Sequence, residues 1–382
     1  MSETLNSIQE LGRLGQSVWY DNMYRSLITS GELARLVEMG VTGLTSNPTI
    51  FQKAISSGSE YDDSLVKHAS RGLNPEQLFE SLATEDIRAA ADILRPVYER
   101  SGGSDGFASL EVSPRLAHDT DGTIEAALRL FGALHRPNVM IKVPATPEGI
   151  PAIRALIGKG VNVNVTLIFS LDMYTRVREA YVRGLEDLER AGGDLSAVSS
   201  VASFFVSRVD TAVDGLIEDR DGTLETLMGK AAVANAKIAY QDFKKTFGTN
   251  RFGALARKGA RAQKPLWAST STKNPLYSDV MYVETLIGAD TVNTMPDATL
   301  EAFLDHGRAS DSIERDVEES RDVICQLEKA GISMDAVTTN LMHEGVKAFA
   351  DSFELLLGDI EAKRERLMAS AAAPVGAPAD GS

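Results

Sequence analysis

Eight times along the chain, a short apolar run rich in β-branched residues alternates with a longer stretch of helical period, and few folds accommodate that pattern. The runs fall at residues 18–21, 41–45, 107–112, 139–143, 161–166, 200–205, 266–269 and 291–294, with helical periodicity between them at 30–39, 76–99, 121–134, 147–157 and 171–190. A helix between two strands carries the chain back to the start of the sheet, so the strands it joins run parallel. Eight such units imply an α/β fold closed into a (β/α)8 TIM barrel. An open doubly wound sheet is the alternative, but its first strand is usually followed by a glycine-rich phosphate turn, and WYDNMYRSL holds none. Helix-start signals agree: Thr146-Pro147-Glu148 offers a cap, a first-turn proline and a first-turn acid, and Asn47-Pro48 and Ser170 open two others. Two connections exceed what a barrel loop needs, 59–101 before the third strand and 311–368 after the eighth. They read as additional helices packed on a single barrel domain spanning 1–368, followed by a tail, 369–382, whose composition predicts disorder.

Charge narrows the function classes. A formal net charge of −15 argues against nucleic acid or an anionic membrane as main partner, so a phosphate ester would have to be held by a few local cations. No window has the apolar length of a membrane span, and MSETLNSIQELG lacks the regions of a signal peptide, so the expected compartment is the cytoplasm. Cys325 is the only cysteine, which excludes an intrachain disulfide or a thiolate metal site. The histidines are scattered without metal-ligand spacing, and SGGSDG precedes a strand instead of following one, so neither a metal nor a dinucleotide is expected.

The chemistry emerges from strand parity. Successive strand residues face opposite sides, one toward the helices and one toward the barrel axis. In the fifth run Val161, Val163, Val165 and Leu167 form the apolar set, leaving Asn162, Asn164 and Thr166 facing inward. In the fourth, Val139, Ile141 and Val143 face the helices and Lys142 points in with Met140; in the third, Ser109, Glu111 and Ser113 point in. Trp19 and Asp21, Thr45 and Asn47, Ser203 and Phe205, and Ser269 complete the inner set. Polar residues toward the C-terminal ends of barrel strands mark the usual position of an active site. Lys142 stands out among them, because an ammonium inside an apolar strand is costly unless it is paired or deprotonated. About one lysine in 2,500 is a free amine at pH 7, so desolvation raises its reactivity toward carbonyls. Structural roles are open for each residue alone: a strand-end lysine that snorkels, loop or cap roles for Asp21 and Asn47, cross-barrel hydrogen bonds for Asn162 and Asn164, and small interior serines at 203 and 269. An amine, two carboxylates, amides and hydroxyls at one barrel mouth nevertheless suit polyhydroxy carbonyl compounds.

The segments WYDNMYR, GLTSNPTIF, SLEVSPRLAHD, VMIKVPATPEGI, GVNVNVTLIFS, VASFFVSRVD and LWASTSTKNP, in this order, resemble the transaldolase family over most of the chain. The resemblance implies a cofactor-free enzyme that moves a dihydroxyacetone unit from sedoheptulose 7-phosphate to glyceraldehyde 3-phosphate, giving erythrose 4-phosphate and fructose 6-phosphate through a lysine Schiff base. It implies Lys142 as nucleophile, Glu111 and Thr166 as proton carriers and Asp21 as the acid–base group for carbon–carbon cleavage. Asn47, Asn164 and Ser203 would hold the three-carbon unit, while Arg208 and Ser269 match phosphate-binding positions. Many relatives carry an arginine close after the serine of the seventh strand; here Lys273 stands in that stretch, a point charge in place of a bidentate fork. The resemblance leaves monomer or homodimer open, because the family's usual contacts involve terminal helices that differ in length here. The rival readings are a fructose-6-phosphate aldolase of the same family, which tends to carry glutamine and tyrosine where this chain has Glu111 and Phe205, a non-catalytic sugar-phosphate-binding barrel, and a pyridoxal phosphate aldimine, for which no glycine-rich phosphate cup is evident.

Overall fold

The β-branched runs pair in parallel, each with its sequence neighbours, and the last pairs with the first. The computed structural model describes residues 5–220, 222 and 224–372. Its strands are β1 (Gln16–Tyr20), β2 (Val41–Leu44), β3 (Ala108–Glu111), β4 (Val139–Pro144), β5 (Val163–Ile168), β6 (Ser200–Phe205), β7 (Lys264–Ala268) and β8 (Thr291–Met295), closed in that order. Every residue of β3, β4, β5, β6 and β8 is buried, as expected of strands covered on one face by helices and on the other by the barrel interior. Trp19 fills the lower interior, its indole N–H donating to Asp105 at 2.9 Å. Gly43 on the adjacent strand makes that possible, since a Cβ there would lie 2.5 Å from the indole ring.

Helices follow the strands around the outside. Pro75–Arg100 precedes β3, Thr120–Leu134 precedes β4, Gly149–Ile157 precedes β5 and Leu171–Arg190 precedes β6. Two expected starts hold, Asn47 accepting from Ile50 N at 3.0 Å and Ser170 from Met173 N at 3.0 Å; Thr146 Oγ1 accepts from Gly149 N at 2.9 Å, but that helix begins at Gly149, which leaves Pro147 and Glu148 ahead of its first turn. Among the described residues, no helix is long and apolar enough to cross a membrane.

The structure departs from the sequence reading in four further places. Leu167 was expected to face the helix layer, but its φ is +59° and the β5–β6 register shifts between Val165 and Ile168; it packs instead beneath Gly345 of the C-terminal helix. The β7–β8 connection holds only the short helix Met281–Glu284, because residues 271–279 are rich in Ser, Thr, Asn, Pro and Asp, which favour turns. A third long connection, between β6 and β7, carries the helices Ser207–Glu218, Ala231–Phe247 and Asn250–Ala256. Lastly, the final helix, Met334–Ala372, runs past residue 368, where the tail was expected to begin; the remainder of that tail lies outside the described residues.

Candidate active site at the barrel mouth

Register brings the central groups together. Glu111 of β3 pairs with Lys142 of β4, and Lys142 pairs with Asn164 of β5, so three inward residues stand at one level on adjacent strands. Lys142 is 5 % exposed and Glu111 9 %. The ammonium donates to Ser46 O at 2.7 Å and holds Glu111 Oε2 at 3.2 Å, which supplies the partner that a buried lysine requires. Burial pushes the Glu111 carboxyl above its ordinary pKa, with the Lys142 charge pulling it back.

Above this level opens a cavity of about 220 Å³ lined by Asp21, Thr45, Asn47, Lys142, Thr166, Ser203, Phe205, Arg208, Ser269 and Lys273, together with Ala268, Ser271, Thr294, Pro296 and Phe349. Asp21 sits past the end of β1, its N–H bonded to Met295 O at 2.9 Å, and Thr45 donates to its Oδ1 at 2.7 Å. Burial raises the Asp21 pKa most; the Thr45 hydrogen bond and the charges of Lys142 and Lys273 oppose that rise. Asn47 serves two ends: its Oδ1 caps the helix Pro48–Ser57 while the residue lines the cavity.

Part of the wall is cationic. Arg208 lies over the Phe205 ring at 5.4 Å, and burial lowers its pKa. Lys273 donates to Ser271 Oγ at 2.7 Å, and its pKa is lowered by desolvation and then by the Arg208 charge. Two cations that repel each other in the lining of one cavity of an acidic protein make a place for an anion. Ser269 joins them through its backbone: at φ +56° it leaves the strand conformation, and its hydroxyl meets that of Ser207 at 2.9 Å.

Not every expected residue reaches the cavity. Asn164 is fully buried beneath it, donating to Ser109 Oγ at 3.2 Å and accepting from Ser203 Oγ at 2.7 Å. Glu111 stands behind Lys142. Asn162 takes the structural role, donating to Pro137 O and Val139 O and accepting from Ser199 N at the other end of β5. Five wall residues escaped the sequence reading, Ala268 and Pro296 among them. Thr294 bonds Thr45 Oγ1 at 2.8 Å and was accessible by the same parity rule applied to β8. Ser271 and Phe349 come from a loop and a distant helix, where strand parity says nothing.

A family model described as transaldolase/fructose-6-phosphate aldolase matches residues 18–360. The chain is 49% identical over 369 residues to transaldolase 2 of Streptomyces coelicolor, covering 96% of this chain and 99% of that protein. It is 48% identical over 359 residues to a transaldolase of Thiobacillus denitrificans, covering 93% and 100%. For a transaldolase of Trichodesmium erythraeum the identity is 45% over 374 residues, covering 95% and 98%.

Proposed function

Because the chain belongs to the transaldolase/fructose-6-phosphate aldolase family, we propose that Lys142 carries its reaction, with Glu111, Thr166 and Asp21 moving the protons. The activity is that of a transaldolase, transferring a dihydroxyacetone unit between sugar phosphates through a Schiff base. Donor and acceptor in this reading are sedoheptulose 7-phosphate and glyceraldehyde 3-phosphate, in the cytoplasm, with the enzyme acting as a monomer or a homodimer.

Nζ of Lys142 attacks the donor's C2 carbonyl to give a carbinolamine. Glu111, 3.2 Å from Nζ, and Thr166 in the cavity wall carry the protons that convert its hydroxyl into departing water. The resulting iminium is an electron sink. Asp21 takes the proton of the C4 hydroxyl, the C3–C4 bond breaks, and its electrons pass into the iminium as an enamine while erythrose 4-phosphate leaves. A carboxyl lifted by burial is a stronger base than an exposed aspartate, which suits it to this step. Glyceraldehyde 3-phosphate then accepts the enamine carbon, Asp21 returns the proton, and hydrolysis frees fructose 6-phosphate. Asn47 and Ser203 face the three-carbon unit from the wall, Asn164 supports Ser203 from below, and Arg208, Ser269 and Lys273 take the phosphate.

The observation that carries this reading is the buried Lys142, paired with Glu111 behind it, in the wall of a cavity that also presents Asp21 and two cations. Borohydride reduction in the presence of fructose 6-phosphate should leave a three-carbon or six-carbon adduct on the Lys142 peptide by mass spectrometry, and none in Lys142→Ala. A wild-type protein that binds the sugar phosphate without an adduct would instead be a binding barrel.

A further inference from the structure

The cavity has a roof that does not come from the barrel. Phe349, on the helix Met334–Ala372, is 8 % exposed, lines the cavity, and lies with its ring centroid 5.9 Å from Lys142 Nζ. The helix is seated there by contacts along its length. Gly345 lets it rest on β5, where a Cβ would come 2.9 Å from Leu167 and 3.7 Å from Phe169. Ser352 meets Thr49 at 2.8 Å, Asp359 accepts from Gln52 at 2.7 Å, and Glu354 receives a two-pronged hydrogen bond from Arg115 at 2.7 and 2.8 Å. Phe353 packs edge-on against Phe79, which packs edge-on against Phe51. The aromatic ring is therefore held over the amine by a docked element and is not a loose side chain.

We propose that Phe349 is a specificity-determining residue: it shields the lysine adduct from water and so keeps the enzyme a transferase instead of a hydrolytic aldolase. The inference rests on the Lys142 reading above. Between donor cleavage and acceptor arrival, the three-carbon unit waits on Lys142 as an enamine. It escapes by one route. The enamine carbon takes up a proton to give the iminium, and water adds to C2, giving up the same count of protons. The C2–N bond then breaks, returning the amine and releasing dihydroxyacetone. The first step needs a water molecule, as proton donor, at the enamine carbon beside the nitrogen that Phe349 covers, whereas release of fructose 6-phosphate starts from an iminium already formed and takes its water from the Glu111 and Thr166 side. An aromatic face excludes the proton-donating water while tolerating the iminium charge, because its quadrupole attracts cations.

The test is the partition between transfer and release. Purified protein is supplied with fructose 6-phosphate with and without erythrose 4-phosphate, and free dihydroxyacetone is measured against sedoheptulose 7-phosphate formed. Phe349→Ala should shift the ratio toward release by about tenfold, the scale of losing a desolvated aromatic–cation contact, with the borohydride adduct still on Lys142. A general loss of folded enzyme lowers both products together and leaves their ratio unmoved, so an unchanged ratio overturns the proposal. Phe349→Leu keeps a buried apolar group, and its ratio should shift by about threefold; no shift in it is likewise fatal should the alanine variant not fold. A wild-type protein without an adduct on Lys142 defeats the earlier reading and this one with it, whereas an adduct with an unmoved ratio defeats this one alone.

Discussion

Asp21 is poised by opposing effects. Burial raises its pKa, and the Thr45 hydroxyl, Lys142 and Lys273 draw it back, the hydrogen bond being the strongest of the three. Thr45→Val keeps the β-branched shape and removes the donor. With less stabilisation of the carboxylate, Asp21 is protonated at higher pH, and a base must be ionised to act. The acid limb of the kcat/KM profile should therefore move to higher pH, with kcat/KM measured on that limb falling about tenfold, the scale of one hydrogen bond to a charged group. A limb that stays or moves lower removes Thr45 from the tuning of Asp21. At this scale the sequence was most readable where parity applied: Glu111, Lys142 and Asn164 stand on continuous strands, and register alone aligns them. Asn47 shows why a single residue could not decide between roles, since the cap and the cavity use it at once.

Elements are tied to one another by similar means. Asp210, in the first turn of the helix Ser207–Glu218, accepts from Ala232 N at 2.7 Å, capping the next helix, Ala231–Phe247, from outside, and accepts from Tyr282 Oη at 2.8 Å on the β7–β8 connection. Burial pushes its pKa up to about 6. The unfolded chain gives the same carboxyl an ordinary value near 3.8, so between these values the native state holds more protons than the unfolded one. Its contribution to stability is then fully present below the unfolded pKa and is lost as pH rises through about 6. Asparagine can accept from Ala232 N through its oxygen and donate to Tyr282 through its nitrogen. Asp210→Asn should therefore flatten the dependence of urea stability on pH between about 4 and 6, a span worth up to ~3 kcal/mol for this group. An undiminished slope would assign it to other carboxyls. The connections were where sequence reading fell short. The third long linker was hidden because helical period marks a helix without saying whether it belongs to the barrel layer, and Leu167 broke parity because a bulge gives no apolar signal.

The whole molecule is a barrel with its mouth covered by its own C-terminal helix. Residues 311–368 were legible as extra helices packed on the barrel, since an apolar face must be buried somewhere, but periodicity identifies that face and not the surface it meets. What fixes the meeting point is a set of pairs between residues about 300 positions apart, such as Gln52 with Asp359, and these have no local signature. Lys363 is the deepest of them. It is 7 % exposed, donates to Ile55 O at 3.0 Å and to Gly58 O, and pairs with Asp62 at 2.8 Å. In this way it satisfies carbonyls at the end of the helix Pro48–Ser57. Lys363→Met keeps the apolar stem and leaves two carbonyls and a carboxylate without their donor. Because Asp62 is 29 % exposed and can be hydrated, the loss should be about 2 kcal/mol, less than for a fully buried pair, read as a lower urea midpoint. The site of change lies 14 residues from Phe349 on one helix, about 21 Å along its axis. If the helix docks as a rigid cover, loosening it there lifts Phe349, and free dihydroxyacetone should rise in this variant as it does in Phe349→Ala. A lowered midpoint with an unmoved partition would mean that the stretch around Gly345 and Phe349 is held to β5 independently of the far end.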